Sequence, residues 1–288
     1  MTRSGEQIRT GYARCETETR RRAANFGLGI RLLPPARRRA LSAVYWFSQL
    51  ADDAADGDGP EAWRAACLDD LRKDLERTLF GDPPSPSWAA LGDATTRFGI
   101  PTALFGELLD GIGRDLRRER FEDWAATLEY CYGVAGVVGL ISLPIFGGDG
   151  DRAAVDAVEV GYALQLTNIL RDLREDARRG RWYLPLDLSD RFGITPEDVA
   201  TGAPGPGFEA LVLAVAEEAR NYYRAAGRLA RRLPRSTRAC PASLAGVYRG
   251  LLERIADEPR AVLRQRVRLP APAKVTCAAV STLATLLQ

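Results

Sequence analysis

Histidine is absent from all 288 residues. That excludes Ser-His triads, His-ligated zinc and imidazole acid/base chemistry. Any metal ion must then be held by oxygen, a donor set that suits Mg²⁺, Mn²⁺ or Ca²⁺. Cysteine is sparse: Cys15, Cys67, Cys131, Cys240 and Cys277 are odd in number and never in C-x-x-C spacing. Neither a disulfide framework nor a thiolate zinc site is indicated, and reduced thiols in the cytoplasm fit best. An excess of either charge is also missing, with 40 basic against 38 acidic residues, which argues against a nucleic-acid partner. Lysine is nearly absent (only Lys73 and Lys274), so the basic residues are almost all arginine. Arginine clusters bind phosphate, but a GC-rich genome gives the same bias and accounts for most of them. The Arg-rich N-terminus lacks an apolar h-region, so no secretory signal is expected. No internal repeat and no alternating β-branched run occurs, and the chain is expected to be all-α: one domain over residues 1–288, a bundle of roughly ten helices.

Periodicity and breakers place a polar helix over 5–24 and a short apolar one over 25–33, ending at Pro34 and Pro35. The next helix, 36–56, carries ALSAVYWFSQLA at 40–51 without a charge on any face, the pattern of a buried helix. An amphipathic helix over 61–80 is closed by Gly81, and DPPSPS at 82–87 reads as a loop. A further helix covers 101–119, and its tail RDLRRER at 114–120 reads as a solvated face, with a diphosphate or membrane-surface contact as the alternative. The uncharged segment 130–148, YCYGVAGVVGLISLPIFGG, has the length of a membrane span, but its five glycines and Pro144 argue against one. Gly133, Gly136 and Gly139 leave bare helix surface for close packing or for an apolar ligand. Residues 186–207 form a loop with a short helix capped near Thr195, and helices follow over 208–233, 241–257 and 270–287.

Two D-x-x-x-D patterns stand out. Asp52 and Asp56 share one side of the buried helix with Arg38, Tyr45, Ser48 and Gln49; Gln165, Asn168, Asp172 and Asp176 fall within an arc of roughly 80° on a helix through 161–178. An isolated pattern of this kind is most simply a wet helix face. A carboxylate pair on an otherwise apolar helix is costly unless a cation neutralises it, and a second copy changes the reading. Carboxylates four apart lie about 5 to 6 Å from each other at Cβ, so both can approach one Mg²⁺. On the same wheel Arg171, Arg174 and Arg178 project away from the acids, as solvent or ion-pair residues. Two such helices across an apolar cavity suit ionisation of a diphosphate, with the carbocation kept from water. Tyr45, Trp46, Phe26, Tyr130 and Tyr132 are candidate aromatic faces for that cation, with ordinary core packing as the alternative for each.

These residues resemble the squalene/phytoene synthase family over nearly the whole chain. The resemblance rests on LLPPARRRALSAVYWFSQLADDAAD at 32–56, YCYGVAGVVG at 130–139, LQLTNILRDLREDARRGRWYLP at 164–185 and VYRGLLERI from 247 with its basic tail to 274. It implies an isoprenoid-synthase fold around a central cavity. It implies Mg²⁺, or Mn²⁺, on Asp52, Asp56, Asn168, Asp172 and Asp176. It implies prenyl diphosphate contacts at Arg38, Gln165, Tyr248 and Arg266, with Tyr45, Gln49 and Tyr130 also on substrate. Two departures stand out: Ala23, Ala24, Asn25 and Phe26 replace a Ser-x-Ser-Phe start, and Gln49 stands where many members have Arg. The Asn-Phe pair is more like bacterial squalene-forming enzymes of hopanoid pathways, whereas NILRDLREDA is shared with phytoene and presqualene diphosphate synthases. The expected reaction joins two farnesyl diphosphates through presqualene diphosphate toward squalene, in whole or as one half-reaction. A phytoene synthase using geranylgeranyl diphosphate is the alternative enzyme. A non-catalytic relative serving as a binding or assembly factor is the alternative from another class, and retention of all four Asp with Asn168 argues against it. No nucleotide fingerprint marks NADPH use. Soluble protein, loosely peripheral at the inner membrane face, is expected.

Overall fold

The computed structural model describes residues 3–23, 26–117 and 119–286, and among them there is no β-strand. The chain runs α1 (Arg3–Arg22), α2 (Phe26–Ile30), α3 (Pro35–Asp56), α4 (Glu61–Leu79), α5 (Pro86–Phe98), α6 (Ala103–Gly113), α7 (Trp124–Cys131), α8 (Val137–Phe146), α9 (Asp151–Arg178), α10 (Leu186–Arg191), α11 (Pro196–Thr201), α12 (Phe208–Arg232), α13 (Ala239–Asp257), α14 (Ala261–Arg264) and α15 (Ala271–Leu286). The all-α bundle is as expected; the helices beyond the roughly ten expected include α10 and α14, one-turn pieces too short to show a period, and α5, whose Pro/Ser start reads as loop.

Local chemistry explains several boundaries. Pro35 opens α3 as a first-turn proline, where its missing N–H costs nothing. Thr195 caps α11, its hydroxyl accepting from the Asp198 N–H at 3.2 Å. The helix over 101–119 is shorter than its composition suggests: α6 ends at Gly113 and a 3₁₀ turn, Arg114–Leu116, redirects the chain.

Two apolar cores share the molecule. One gathers α1, α3 to α6 and α8, with Phe47 edge-on to Trp88 and Phe105. The other surrounds the second half of α9 with α12, α13 and Trp182. The long helix α9 packs against α8, α12 and α13, while α8 also packs against α3. Thus α3 and α9 each wall the space between the cores.

The apolar segment from 124 to 146 is one continuous helical run, α7 and α8 joined by a π-helical turn at Tyr132–Gly136. By length and hydropathy it could cross a membrane. Its position explains that composition: Cys131, Val137, Ile141 and Ile145 are in the cores, and Val134, Val138, Gly139 and Ser142 line the cavity described below. Its glycines serve close packing. A Cβ on Gly111 of α6 would lie 2.5 Å from the Gly133 carbonyl carbon, and one on Gly139 would lie 2.5 Å from the Ala157 carbonyl oxygen.

Gly111→Ala therefore tests this contact. A backbone neighbour cannot swing aside as a side chain can, so the substitution is expected to cost about 1–3 kcal/mol despite alanine's better helix propensity. Urea unfolding of the two proteins under the same conditions measures it, and an unchanged or higher midpoint would contradict the packing argument.

Candidate active site

The two acidic helices line one cavity of about 800 Å³. From α3 come Tyr45, Ser48, Gln49, Asp52 and Asp56; from α9 come Gln165, Asn168, Asp172 and Asp176. Tyr130, Tyr248 and Arg266, singled out by sequence, also line it. Away from these groups the wall is hydrocarbon, with Leu41, Val44, Leu108, Ile112, Val138 and Phe146 among its residues.

Arg38 is the exception among the expected substrate contacts. Its Nε donates to Glu16 Oε1 at 3.0 Å, and it is not among the cavity-lining residues. The helical wheel puts it on the right side of α3, but it lies fourteen residues from Asp52, about 20 Å along the axis, where α1 covers the helix. Trp46 and Tyr132 are likewise outside the cavity: Trp46 stands edge-on to Trp88 with centroids 5.4 Å apart, and the Tyr132 hydroxyl donates to Glu107 at 3.0 Å. Asn25 lies outside the described residues, and so does the side chain of Phe26.

Arg171 corrects the expectation that it points away from the acids. Its Nε donates to Asp172 Oδ1 at 2.9 Å, its terminal nitrogen donates to Asp172 Oδ2, and its side chain is only 13% exposed. The wheel gives the direction of Cβ, and a long guanidinium side chain folds back along the helix surface. Arg266 grips the same carboxylate at 2.7 and 3.0 Å. Arg174 and Arg178 do turn away, donating to the carbonyls of Leu263, Thr201 and Ala200.

Three residues that sequence reasoning passed over complete the rim: Asp115, Arg181 and Tyr183. The hydroxyls of Tyr130 and Tyr183 each donate to Asp115 Oδ1 at 2.9 Å, and the two rings stack with centroids 4.7 Å apart. Arg181 donates to Asp56 Oδ1 at 2.7 Å, tying the chain after α9 to the end of α3. Asp115 sits inside RDLRRER, so that segment is only partly a solvated face: Arg117 is exposed and pairs with Glu119, while Asp115 turns into the cavity. Arg181 and Tyr183 fall within the 164–185 stretch on which the resemblance rests, without a role of their own assigned there.

Electrostatics distinguish the acids. Asp52 faces the open cavity yet is ringed by protein, and burial, then repulsion from Asp56 and Asp115, pushes its carboxyl up to about 7. Burial and the neighbouring Asp172 do the same to Asp176, also to about 7. Burial raises Asp115 as well, against the opposing pull of Arg181 and the two tyrosine hydrogen bonds. Asp172 differs: burial would raise it, but Arg171 and Arg266 outweigh burial and hold it below the ordinary carboxylate value.

These residues fit a divalent cation. Oxygen donors are the only ones offered, and two of the carboxyls hold protons that a cation would displace. The Asn168 carbonyl oxygen is buried with no hydrogen-bond partner, an orphan that a metal ligand role would satisfy. Among the described residues no three acidic or thiol side chains converge as a ready-made cage, so remaining ligands must come from substrate or water, the usual habit of Mg²⁺.

The family model of squalene/phytoene synthases matches residues 19–273. The phytoene synthase of Mycobacterium tuberculosis is 38% identical over 278 residues, covering 96% of this chain and 91% of that protein. The 15-cis-phytoene synthase of Synechocystis sp. is 32% identical, covering 93% and 83%. Among solved structures, a dehydrosqualene synthase in complex with ligand superposes with a TM-score of 0.89 at 29% identity, covering 99% of this chain and all (100%) of that one. The squalene synthase HpnC from Alicyclobacillus acidocaldarius gives 0.79 at 26% identity, covering 87% and 95%.

A pH dependence follows from Asp52 and Asp176. Between their ordinary value of 3.8 and about 7, the folded protein keeps protons that the unfolded chain has released. Their contribution to the stability of the metal-free protein therefore falls as pH rises through that window and levels off above it. Mg²⁺ or Mn²⁺ is expected to raise the melting temperature more at pH 8 than at pH 6, and to release protons on binding at pH 6.5. A metal effect independent of pH would contradict the assignment of these two carboxylates as ligands.

Proposed function

The chain belongs to the squalene/phytoene synthase family, a family of head-to-head prenyl diphosphate condensations, and from that premise we propose that it joins two copies of one allylic prenyl diphosphate. The observation that carries this reading is the pairing of two acidic helix faces on the rim of one otherwise apolar cavity.

In this reading the rim holds the diphosphates. Arg22, Arg266, Arg268, Lys274 and Tyr248 line it and offer positive charge and donors to phosphate oxygens. Asp52, Asp56, Asn168 and Asp176 would hold Mg²⁺ or Mn²⁺, with Asp172 joining once Arg171 and Arg266 release it. A bound cation supplies positive charge that makes diphosphate a better leaving group. The C1–O bond of one substrate breaks, and its electron pair leaves with the diphosphate. The double bond of the second substrate attacks that carbon, and loss of a proton closes a cyclopropylcarbinyl diphosphate. The hydrocarbon wall keeps water from the cation, and the rings of Tyr45, Tyr130 and Tyr183 offer it negative faces. A second ionisation and rearrangement end the sequence.

Two chain lengths have support. The C20 reading, phytoene formation ending in proton loss, is supported by relatives named phytoene synthases at 38% identity over 96% of the chain. The C15 reading, toward squalene or its dehydro form, is supported by the dehydrosqualene synthase structure at 29% identity and by the Asn25–Phe26 pair. We take the C20 reading as the first and the C15 reading as the second.

Purified protein incubated with Mg²⁺ and labelled geranylgeranyl or farnesyl diphosphate, with and without NADPH, separates them by product. Phytoene formed without NADPH is the expected result, and squalene or dehydrosqualene from the C15 substrate alone would transfer the reading to the second. Diphosphate release from neither would overturn both. Asp52→Ala and Asp176→Ala are expected to lower turnover by about 10²–10³-fold or more while leaving the metal-free protein at least as stable, since each removes one carboxyl from a cluster of like charge. Turnover near that of the unaltered protein would remove these acids from the machinery.

A further inference from the structure

The helix α15 packs one side on α13, where its Cys277 and Ser281 fit over Gly250 and Gly246. Its opposite side is bare. Val275, Val280 and Leu283 are 56%, 61% and 58% exposed, with Thr276, Ala279 and Ala284 exposed among them. Lys274 is the only charged residue in α15. A helix face that meets water normally carries charge, so this one calls for a cover.

The surroundings say what kind. No Asp or Glu occurs in residues 19–51, 219–252 or 259–288. Those stretches hold α15 itself, α2, the second half of α12 and most of α13, and α2, α12 and α13 all pack on α15. Arg268, exposed, precedes the N-terminal end of α15. At the other end Arg238 donates to the Thr285 carbonyl at 3.3 Å, and exposed Arg235 lies three residues before it. Exposed Arg31 and Leu32 follow α2, which packs on both α13 and α15. An apolar stripe is thus flanked by cations, with no carboxylate in residues 19–51, 219–252 or 259–288.

We propose that this face docks on an anionic lipid bilayer, with Val275, Val280 and Leu283 in the headgroup–acyl boundary and Arg31 and Arg235 on lipid phosphates. Apolar burial and attraction to anionic headgroups are the two terms that hold interfacial helices. A second copy of the chain fits worse, because a two-fold contact would bring two basic surfaces together. The consequence for function, which rests on the prenyl reading above, is access: Lys274 and Leu269 line the cavity while Val275 next to Lys274 faces outward, so docking sets the rim at the lipid surface where a long hydrocarbon product can leave.

The test is flotation of the full-length protein with phosphatidylcholine vesicles and with vesicles containing phosphatidylglycerol. Binding to the anionic vesicles, weakened by salt and about tenfold or more weaker in Val280→Glu/Leu283→Glu, is expected. Circular dichroism and diphosphate release in vesicle-free buffer, both unchanged in that variant, show that it folds. Absence of flotation, flotation insensitive to the double substitution, or a concentration-dependent dimer abolished by it would each overturn the proposal, the last by assigning the face to a second copy. Failure to turn over prenyl diphosphates without vesicles would sink the prenyl reading and leave the docking result standing.

Discussion

Mutual repulsion among carboxylates at a protein-lined rim is the constraint on which the rest of this structure depends. Asp52, Asp56, Asp115, Asp172 and Asp176 all border one cavity, and bringing like charges out of bulk water is unfavourable by several kcal/mol per ion unless something neutralises them. The protein supplies part of the neutralisation itself. Arg181 takes Asp56, Arg171 and Arg266 take Asp172, and two tyrosine hydroxyls serve Asp115. Among the described residues Asp52 receives only the Gln49 amide, at 3.2 Å, Asp176 no arginine, and burial and like charge push both up to about 7. That residue of uncompensated charge leaves the rim with a chemistry that suits a cation.

The apolar half of the cavity has a different origin. Helices that line a hollow must pack tightly where they meet, because they have no side chains behind them to fill the gap. Gly111 against Gly133, and Gly139 and Gly161 against the backbones of Ala157 and Ala135, bring helix axes close at the margins of the hollow. Larger residues are then free to face inward as a hydrocarbon wall. The glycines thus serve the cavity through packing, and the π-helical turn at Tyr132–Gly136 falls in the same segment, a place where such turns accompany functional sites.

What the sequence discloses depends on whether a residue's role is local. The α3 and α9 faces were legible because Asp52/Asp56 and Asn168/Asp172/Asp176 repeat at helical spacing, and a period is a one-dimensional signal. The proline start of α3 and the Thr195 cap were legible for the same reason. Arg38 misled because the wheel records angle and ignores height along the axis. Arg171 misled because the wheel stops at Cβ. Asp115, Arg181 and Tyr183 lie on a 3₁₀ turn and in irregular chain, where no period exists, and only the tertiary fold brings Asp115 to two tyrosines that are 15 and 68 residues away.

The two acidic helices are also unequal in a way that orders events at the rim. On α9, Asp172 is gripped by two guanidiniums and sits below its ordinary proton affinity, so it resists both protons and cations until those arginines find another anion. A diphosphate is such an anion, with more negative charge than a carboxylate and oxygens that suit guanidinium forks. On α3, Asp52 has only a proton to lose. A cation would therefore meet Asp52 without displacing an arginine, whereas Asp56 is held by Arg181. On α9, Asp176 and the Asn168 carbonyl carry no arginine, and in the proposed reading Asp172 would join them when substrate draws Arg171 and Arg266 away. In that reading, Asp172 would thereby complete the metal site only in the presence of the diphosphate.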